Sequence, residues 1–568
     1  MADSDQNVDA KETAAFLSSH LLSFAKNPRI QELLTSRSSP TDLEATQIQS
    51  FISAAPTEIT RYDEEIGRLK SALDRATSER SVILSSYDVC RHVVSPVHKL
   101  SSEILAKIFH LSAPFDEHLA EMKRLARYPL LQLSKVCSLW HSVALHTPAL
   151  WSTIRVDQFN WPNSDPGLEK MIGLLKTAVE RGGGSALTLD VRLRNRPSDQ
   201  ALDIIIGCSE RWYRVDFDGY LQPLMDTLTS IQHGFPRLQS LTFSGRYSPG
   251  RLTAFETAPQ LKEFSCAGPV GSICKLPLKQ LQVVVSRANT ISTMADTMSI
   301  MPHLPKTSRF QFQCNIQHVS PFLPLTYTLP PISANIATLF IQLIPGLSTD
   351  LNRQVLDTIL GCLTLPFVHG LQLTSGRYPH RRLAWPHATF LGLSSRSSFK
   401  GHLRCLDIGD VVIARDELIQ CLFELPNLIE VTFGDHQLID TDSIYEGGHR
   451  IFVFGGGGGA GTLSENQDEV LVITDSFLRR LAWVPDASCL VPRLTSLRMR
   501  SLLQFDDSVL LEMTLSRIRR AADGPFSCQI RSMPDHHRKL DSAVRKRLRE
   551  SEKQGELYFS FGQVEYTL

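Results

Sequence analysis

The sequence FPRLQSL at Phe235–Leu241 recurs in related form later in the chain. The copies are APQLKEF at Ala258–Phe264, LPNLIEV at Leu425–Val431 and VPRLTSL at Val491–Leu497. Each copy has the form apolar-Pro-x-Leu-x-x-apolar and runs into a short stretch typical of a β-strand. Proline ends the preceding segment, and the two apolar residues spaced by three turn toward one core. The pattern therefore predicts strands that pair side by side in a parallel ladder.

Looser copies of this pattern extend the repeat. They occur at Leu278–Val283, Ile336–Leu343, Val368–Leu373 and Leu403–Ile408. The first two close copies start about 23 residues apart, within the period of leucine-rich repeats. Residues 158–568 are therefore predicted to form an irregular α/β solenoid of about eight or more units that resembles leucine-rich repeats. The alternative is a non-repetitive α/β domain in which the Pro-x-Leu triplets coincide by chance.

A glycine-rich stretch at residues 445–469 interrupts the repeat. It contains the run Gly455–Gly459, followed by Ala460 and Gly461. A phosphate-binding loop would need Lys and then Ser or Thr directly after spaced glycines, and no Lys follows here. We therefore predict a flexible surface loop.

Two segments before the repeat are rich in large apolar residues. They are SPVHKLSSEILAKIFHLS (Ser95–Ser112) and YPLLQLSKVCSLWHSVALHTPALWSTIRVD (Tyr128–Asp157). Apolar residues recur at helical spacing in both, so each predicts a short amphipathic helix. About 60 residues of this composition carry more apolar surface than so small a unit buries within itself. We therefore expect a protein partner. The alternative is that these helices form one end cap of a larger helical core.

The paired segments resemble the F-box, the helical module by which substrate receptors dock on the Skp-type adaptor of cullin ubiquitin ligases. The matching pattern is L-x-x-E-I-L-x-x-I-F, then L-x-x-V-C-x-x-W, then L-W. Its residues are Leu100, Glu103, Ile104, Leu105, Ile108, Phe109, Leu133, Val136, Cys137, Trp140, Leu150 and Trp151. The resemblance implies that they are divided between the module's own core and an interface with a Skp-type adaptor and, through it, a cullin. The repeat region would hold a protein substrate on its concave strand face.

Two features depart from the family pattern. Ser101 stands where the family usually has Pro, which presets the backbone angle of the first helical position. A longer insert, from Ser112 to Arg127, separates the two halves. Both features would weaken docking without preventing it.

A heptad pattern precedes the F-box-like segment. Apolar residues alternate steps of three and four along Ile59, Tyr62, Ile66, Leu69, Leu73, Ala76, Arg80, Ile83, Tyr87 and Cys90, with Arg80 the polar member. This is the a/d pattern of a coiled coil, and it predicts a homodimer or a stiff lever. Glu65 and Lys70 occupy g and e positions that could pair across a parallel dimer. The alternative is an amphipathic helix folded back on short helices predicted at Thr13–Ala25 and Thr41–Ala54. Ser95-Pro96 should end the long helix.

Composition narrows the class of protein. The 59 basic and 59 acidic residues balance, so no surplus of cations exists to bind nucleic acid. The 11 cysteines lack a C-x-x-C pair and predict neither a zinc framework nor a disulfide scaffold. The first residues, MADSDQNVDAKETAAF, do not resemble a signal peptide, and no apolar stretch is long enough to span a membrane. We expect a cytoplasmic or nuclear protein.

No motif predicts catalysis. The sequence lacks a G-x-S-x-G elbow, an H-E-x-x-H pair and a P-loop. The His536-His537 pair and the basic run Arg545–Arg547 are weak indications of a metal site or a nuclear-import signal, because charged terminal helices are usually solvated. We predict that the chain is not an enzyme and has no catalytic, cofactor-binding or metal-binding residue.

The sequence thus predicts an α+β multidomain protein. Residues 1–56 would form a partly disordered helical segment, 57–94 the heptad helix, 95–157 the F-box-like module and 158–568 the solenoid. The first functional hypothesis is a substrate-recognition subunit of a Skp–cullin–F-box ubiquitin ligase. The second is a repeat scaffold that dimerises through residues 59–90 and has no ubiquitin role. A third, a hydrolase hidden in the α/β region, would require a pocket that holds a nucleophile and a base.

Overall fold

The structure is a computed structural model of the full chain. It describes residues 19, 23–24, 26–36, 38–112, 129–162, 164–194, 198–229, 231, 234–245, 253–268, 270, 275–288, 293–316, 328–346, 349–375, 383–436, 445–446, 449–450, 471–484, 489–520, 524–532 and 538–563. The insert between the F-box-like halves, most of the predicted helix Thr13–Ala25, the glycine run and His536-His537 lie outside these ranges. The chain divides into two compact units, Met1–Leu105 and Ala106–Leu568.

Two helices dominate the first unit, α1 (Pro28–Ser36) and α2 (Asp42–Val93). The sequence predicts a helix that ends at Ala54 and another that starts at Ile59, whereas α2 runs without a break through Pro56. Proline removes one backbone hydrogen bond, but helix-forming residues on both sides carry the helix across it. The end of α2 at Val93, shortly before Pro96, agrees with the prediction.

The second unit is a mixed helix-and-strand structure built on a large sheet. The helices in and leading into it are α3 (Ser102–Ser112), α4 (Pro129–Leu133), α5 (Ser138–His146), α6 (Asp165–Arg181), α7 (Asp199–Gly207), α8 (Gln222–Leu228), α9 (Met294–Met298), α10 (Thr349–Cys362), α11 (His387–Ser397), α12 (Phe399–His402), α13 (Arg415–Glu424), α14 (Asp475–Leu481), α15 (Asp507–Arg520) and α16 (Ser542–Lys553). None of the helices in the described ranges combines the length and apolar character needed to cross a lipid bilayer.

The strands in chain order are β1 (Thr153–Asp157), β2 (Leu187–Leu193), β3 (Trp212–Gly219), β4 (Ser240–Phe243), β5 (Glu263–Cys266), β6 (Val283–Ala288), β7 (Arg309–Asn315), β8 (Ile332–Ser333), β9 (Thr338–Ile344), β10 (Leu363–Thr364), β11 (Gly370–Thr374), β12 (Leu383–Ala384), β13 (Cys405–Asp407), β14 (Val411–Val412), β15 (Glu430–Gly434), β16 (Tyr445–Glu446), β17 (His449–Arg450), β18 (Ser496–Ser501), β19 (Phe526–Ser532) and β20 (Leu557–Gln563). The 14-stranded sheet contains β1 to β7, β9, β11, β13, β15 and β18 to β20, in that order. Every neighbouring pair in it is parallel. The predicted parallel ladder is therefore confirmed.

The Pro-x-Leu copies form the same turn each time. In each copy the Leu N–H donates to the carbonyl of the apolar residue three positions earlier, at donor–acceptor distances of 3.4, 3.3, 3.2 and 3.1 Å. The four leucines are Leu238, Leu261, Leu428 and Leu494, and all are buried. The strands that follow are β4, β5, β15 and β18. The short motif thus sets both the turn and the first inward-facing residue of the strand.

Candidate protein-binding surfaces

Helix α3 separates the first half of the F-box-like pattern into two sets. Leu105 and Phe109, four residues apart, are fully buried, whereas Ile104 and Ile108 are exposed. Leu111, one turn after Ile108, is exposed as well. Two neighbouring apolar faces on one helix are expected when one packs inward and the other is available to a partner.

The start of α3 is stabilised by polar groups. The Ser101 hydroxyl accepts a hydrogen bond from the Ile104 N–H at 3.4 Å, as an N-terminal cap does. Hydrogen bonding with Ser101 lowers the pKa of the exposed Glu103 carboxyl, which is also favoured near the positive helix end. Ser101 therefore offers a cap at the position where the family usually has Pro.

The second half of the pattern forms two helices, whereas the sequence predicts one helical face from Leu133 to Ala144. Cys137 has extended backbone angles, φ −159° and ψ 172°, and separates α4 from α5. Tight turn hydrogen bonds at residues 135 and 136 close α4, and His141 contacts the Ser134 carbonyl at 3.1 Å through Nδ1. Because serines flank the break and favour caps over helix interiors, the apolar periodicity does not hold one helix together. As a result Val136 is exposed.

Aromatic contacts fix this small helical region. The rings of Phe109 and Trp140 lie 5.0 Å apart with an interplanar angle of 59°. The indole N–H of Trp151 donates to the Ala144 carbonyl at 2.7 Å, and the Arg181 guanidinium lies 4.8 Å from the Trp151 ring centre. These contacts tie α3 to α5 and α5 to the turn that precedes β1. The core of the region is therefore built by aromatic residues of the pattern itself.

The structure sorts the twelve predicted residues into three groups. Leu105, Phe109, Leu150 and Trp151 are buried. The half-buried ones are Leu100, Leu133, Cys137 and Trp140. The exposed ones are Glu103, Ile104, Ile108 and Val136. We define the docking surface as Ile108, Leu111, Val136 and Leu139, four exposed apolar residues of the second unit, of which Leu111 and Leu139 were not predicted.

A second surface is the open face of the 14-stranded sheet, which sequence reasoning could not specify residue by residue. Strand residues alternate between buried side chains and half-buried or exposed ones. The central row of this open face, read across the sheet from β1 to β20, is Arg155, Asp190, Asp216, Thr242, Ser265, Val285, Gln311, Phe340, Gln372, Asp407, Thr432, Arg498, Gln529 and Ser560. Only the register of the paired strands identifies these residues as one row, and the sequence alone does not give that register.

Acidic residues gather on the open face at β2 and β3. Asp190 is paired with Arg155 on the neighbouring strand, and Asp218 lies 3.9 Å from Arg192. Asp216 lies directly opposite Asp190. Burial among the crowded strands, with Asp190 and Asp218 adding repulsion, raises the pKa of Asp216 to about 6 although part of its side chain remains open to solvent. A cation from a partner would relieve this repulsion.

The other end of the open face presents arginines. Arg498 and Arg531 are exposed, on β18 and β19. Arg500 pairs with Asp410, which also accepts a hydrogen bond from the Thr374 hydroxyl. The nine strand steps from β3 to β18 span about 43 Å at the usual strand spacing. A protein segment can contact both clusters across that distance, whereas a small molecule cannot.

One cysteine and one histidine of the described residues come close together. The Cys421 thiol lies 3.8 Å from His387 Nδ1, but burial raises the pKa of this thiol to about 12. A catalytic cysteine needs the opposite shift. In the described part of the chain, no three His, Cys, Asp or Glu side chains come together as a metal site. A shallow surface groove on α16 is lined mainly by cations, Lys539, Arg545, Lys546, Arg549 and Lys553.

Comparison of this chain with protein-family models gave no match, and comparison with curated proteins gave none either.

Proposed function

We propose that this protein is a substrate-recognition subunit of a Skp–cullin–F-box type ubiquitin ligase. The observation that carries the proposal is the partition of the F-box-like residues. Leu105, Phe109 and Trp151 are buried, while Ile108 and Val136 stay exposed. A module that serves only as an end cap would have no reason to keep large apolar side chains outside.

The repeat region supports the same proposal. Parallel strands in chain order, four of them introduced by the Pro-x-Leu turn, are what a leucine-rich-repeat-like solenoid requires. Each strand contributes one residue to the central row of the open face, so that face presents a long row of side chains set by the sequence of the repeats. We propose that it binds a protein substrate.

Charge on the open face indicates the chemistry of that substrate. Asp216 at one end favours a Lys or Arg, and Arg498 and Arg531 at the other favour an acidic or phosphorylated segment. In the middle of the central row, Val285, Gln311 and Phe340 would contact an apolar or neutral stretch of the substrate.

Such a protein makes no bond itself. It would bind the adaptor at the docking surface and the substrate on the open face. A cullin bound to the adaptor would bring a charged ubiquitin-conjugating enzyme close to the substrate's lysines. The rate gain comes from effective concentration and orientation. The proposal places the protein in the cytoplasm or the nucleus, where ubiquitin ligases of this type act.

The decisive experiment is co-expression of the full chain with a Skp-type adaptor and a cullin. We expect one stable complex that contains all three proteins. If the folded chain captures no adaptor, the proposal is wrong. The remaining reading would then be a non-catalytic repeat scaffold with no ubiquitin role.

A further inference from the structure

Helix α2 carries an uncovered apolar stripe. Seven large apolar side chains at its heptad positions have exposed fractions from 39 to 68%, and they are Ile59, Tyr62, Ile66, Leu69, Leu73, Ile83 and Tyr87. The remaining heptad positions, Ala76, Arg80 and Cys90, are exposed too. Contiguous apolar surface of this kind on a charged helix marks an interaction site.

The helices described before α2 do not cover this stripe. Arg29 of α1 pairs with Glu44 at 3.1 Å, and the rings of Phe24 and Phe51 lie 4.9 Å apart. Both contacts involve the first turns of α2, before the heptad stretch begins at Ile59. Within the described residues, the fold-back predicted as an alternative therefore ends before the stripe.

We propose that the stripe binds a second copy of this chain as a parallel, in-register, two-stranded coiled coil. The heptad steps run from Ile59 to Cys90 without a slip, which is more than the three to four heptads that such a structure needs. At 1.5 Å per residue the seam is about 48 Å long. A stripe whose period is 3.5 residues fits another helix with the same period, and an identical copy supplies one.

The polar residues of the stripe favour the parallel register. Arg80 occupies an a position, and a single polar residue there typically fixes the register of a two-stranded coil. In the parallel arrangement Arg80 packs beside Glu79 of the second copy, because an a-position side chain contacts the preceding g position across the seam. Lys70 likewise comes opposite Glu65 of the second copy. The antiparallel arrangement instead sets Lys70 opposite Thr77 and gives no such pairs.

Cys90 makes the register measurable. It is an exposed free thiol at a d position, so in the parallel coil it faces Cys90 of the second copy. A disulfide needs Cα atoms within about 7 Å. In an antiparallel coil of the same stretch the two thiols would lie at opposite ends, about 45 Å apart.

The test uses the full chain in light-scattering chromatography, followed by oxidation with copper–phenanthroline. We expect twice the 63.5 kDa chain mass and an interchain crosslink that Cys90→Ser removes without changing the mass. Ile66→Asp with Ile83→Asp should raise the dissociation constant at least ~100-fold and return the mass to that of one chain. Circular dichroism of this variant should remain unchanged, since both side chains are exposed in the single chain.

Three results would overturn the proposal. The first is a wild-type chain that stays monomeric at roughly 50 μM, well above the dissociation constants of specific dimers. The second is a dimer that persists in the Ile66→Asp, Ile83→Asp variant. The third is a dimer in which Cys90 does not crosslink, since that excludes the parallel register. Adaptor capture by the same variant should be unchanged, which keeps this outcome separate from that of the ubiquitin-ligase proposal.

Discussion

Replacing Ile108 and Val136 together by Asp should abolish adaptor binding and leave the fold intact. Both residues belong to the docking surface, with exposed fractions of 40% for Ile108 and 60% for Val136. The sequence pattern alone would have selected Leu105 as readily, but Leu105 is fully buried. A charge at Leu105 would disrupt the module and prevent binding by unfolding it.

The expected loss of adaptor affinity can be estimated from the exposed fractions of the two side chains. Full burial of an Ile or Val side chain is worth about 1.5–3 kcal/mol, so the exposed parts of the two side chains supply about 2 kcal/mol when an adaptor covers them. Two carboxylates desolvated against an apolar partner surface cost roughly another 2 kcal/mol. The sum of about 4 kcal/mol corresponds to roughly 1,000-fold weaker binding. In the unbound chain, exposed substitutions change the free energy of unfolding by only about 0.5 kcal/mol each.

Titration calorimetry with a purified Skp-type adaptor, paired with thermal unfolding, measures both quantities. The matched control is Phe423→Asp, a charge placed on an exposed apolar residue of α13. Phe423→Asp should change adaptor affinity less than about threefold. Undiminished binding by the Ile108→Asp, Val136→Asp variant would refute the assignment of the docking surface. Loss of its unfolding transition would show that these residues belong to the core instead.

Three further predictions concern polar groups of the second unit. Asp435→Ala removes the acceptor for the Val472 and Ile473 N–H groups, at 2.9 and 2.8 Å. The free energy of local unfolding should fall by about 3–5 kcal/mol, which amide exchange measures as faster exchange in residues 471–481. Arg517→Met removes the buried donor to three backbone carbonyls and should lower the thermal midpoint by several degrees, measured by calorimetry. Raising the pH from about 4 to 6 should lower the free energy of unfolding of the wild type. The pKa of Asp216 is raised in the folded state, so over this pH range the folded state binds a proton there more tightly than the unfolded state does. Asp216→Asn should flatten this pH profile and raise the midpoint at pH 7.

The sequence predicted the turns and strands that are determined by residues next to one another in the chain. A Pro-x-Leu triplet both stops a segment and sets a turn, so the strands after Leu238, Leu261, Leu428 and Leu494 could be located before any pairing was known. Parallel pairing then follows, because strands separated by a crossover run in the same direction. The identity of the F-box-like and leucine-rich-repeat-like regions stays a prediction.

Features that depend on tertiary contacts could not be predicted. The break at Cys137 was not predicted, because the apolar spacing continues through it. Helix α2 continues through Pro56, although a proline is a local signal for helix termination. The helix-forming residues on both sides override that signal. The open face is invisible in the sequence because its members, from Arg155 to Ser560, share no spacing and are brought into one row only by strand register.

The two proposed interfaces are independent because they use separate apolar residues. Leucine and isoleucine are mostly buried within the sheet, as at Leu189 and Ile341, whereas Ile83 of α2 and Ile108 of α3 remain open. Exposed apolar surface lowers solubility, and large patches of it usually mark a site that another protein covers. Charge at Ile83 should therefore remove self-association alone, and charge at Ile108 should remove adaptor binding alone. A dimer would carry two open faces in one complex, so a substrate with two contact segments would bind more tightly than either segment alone.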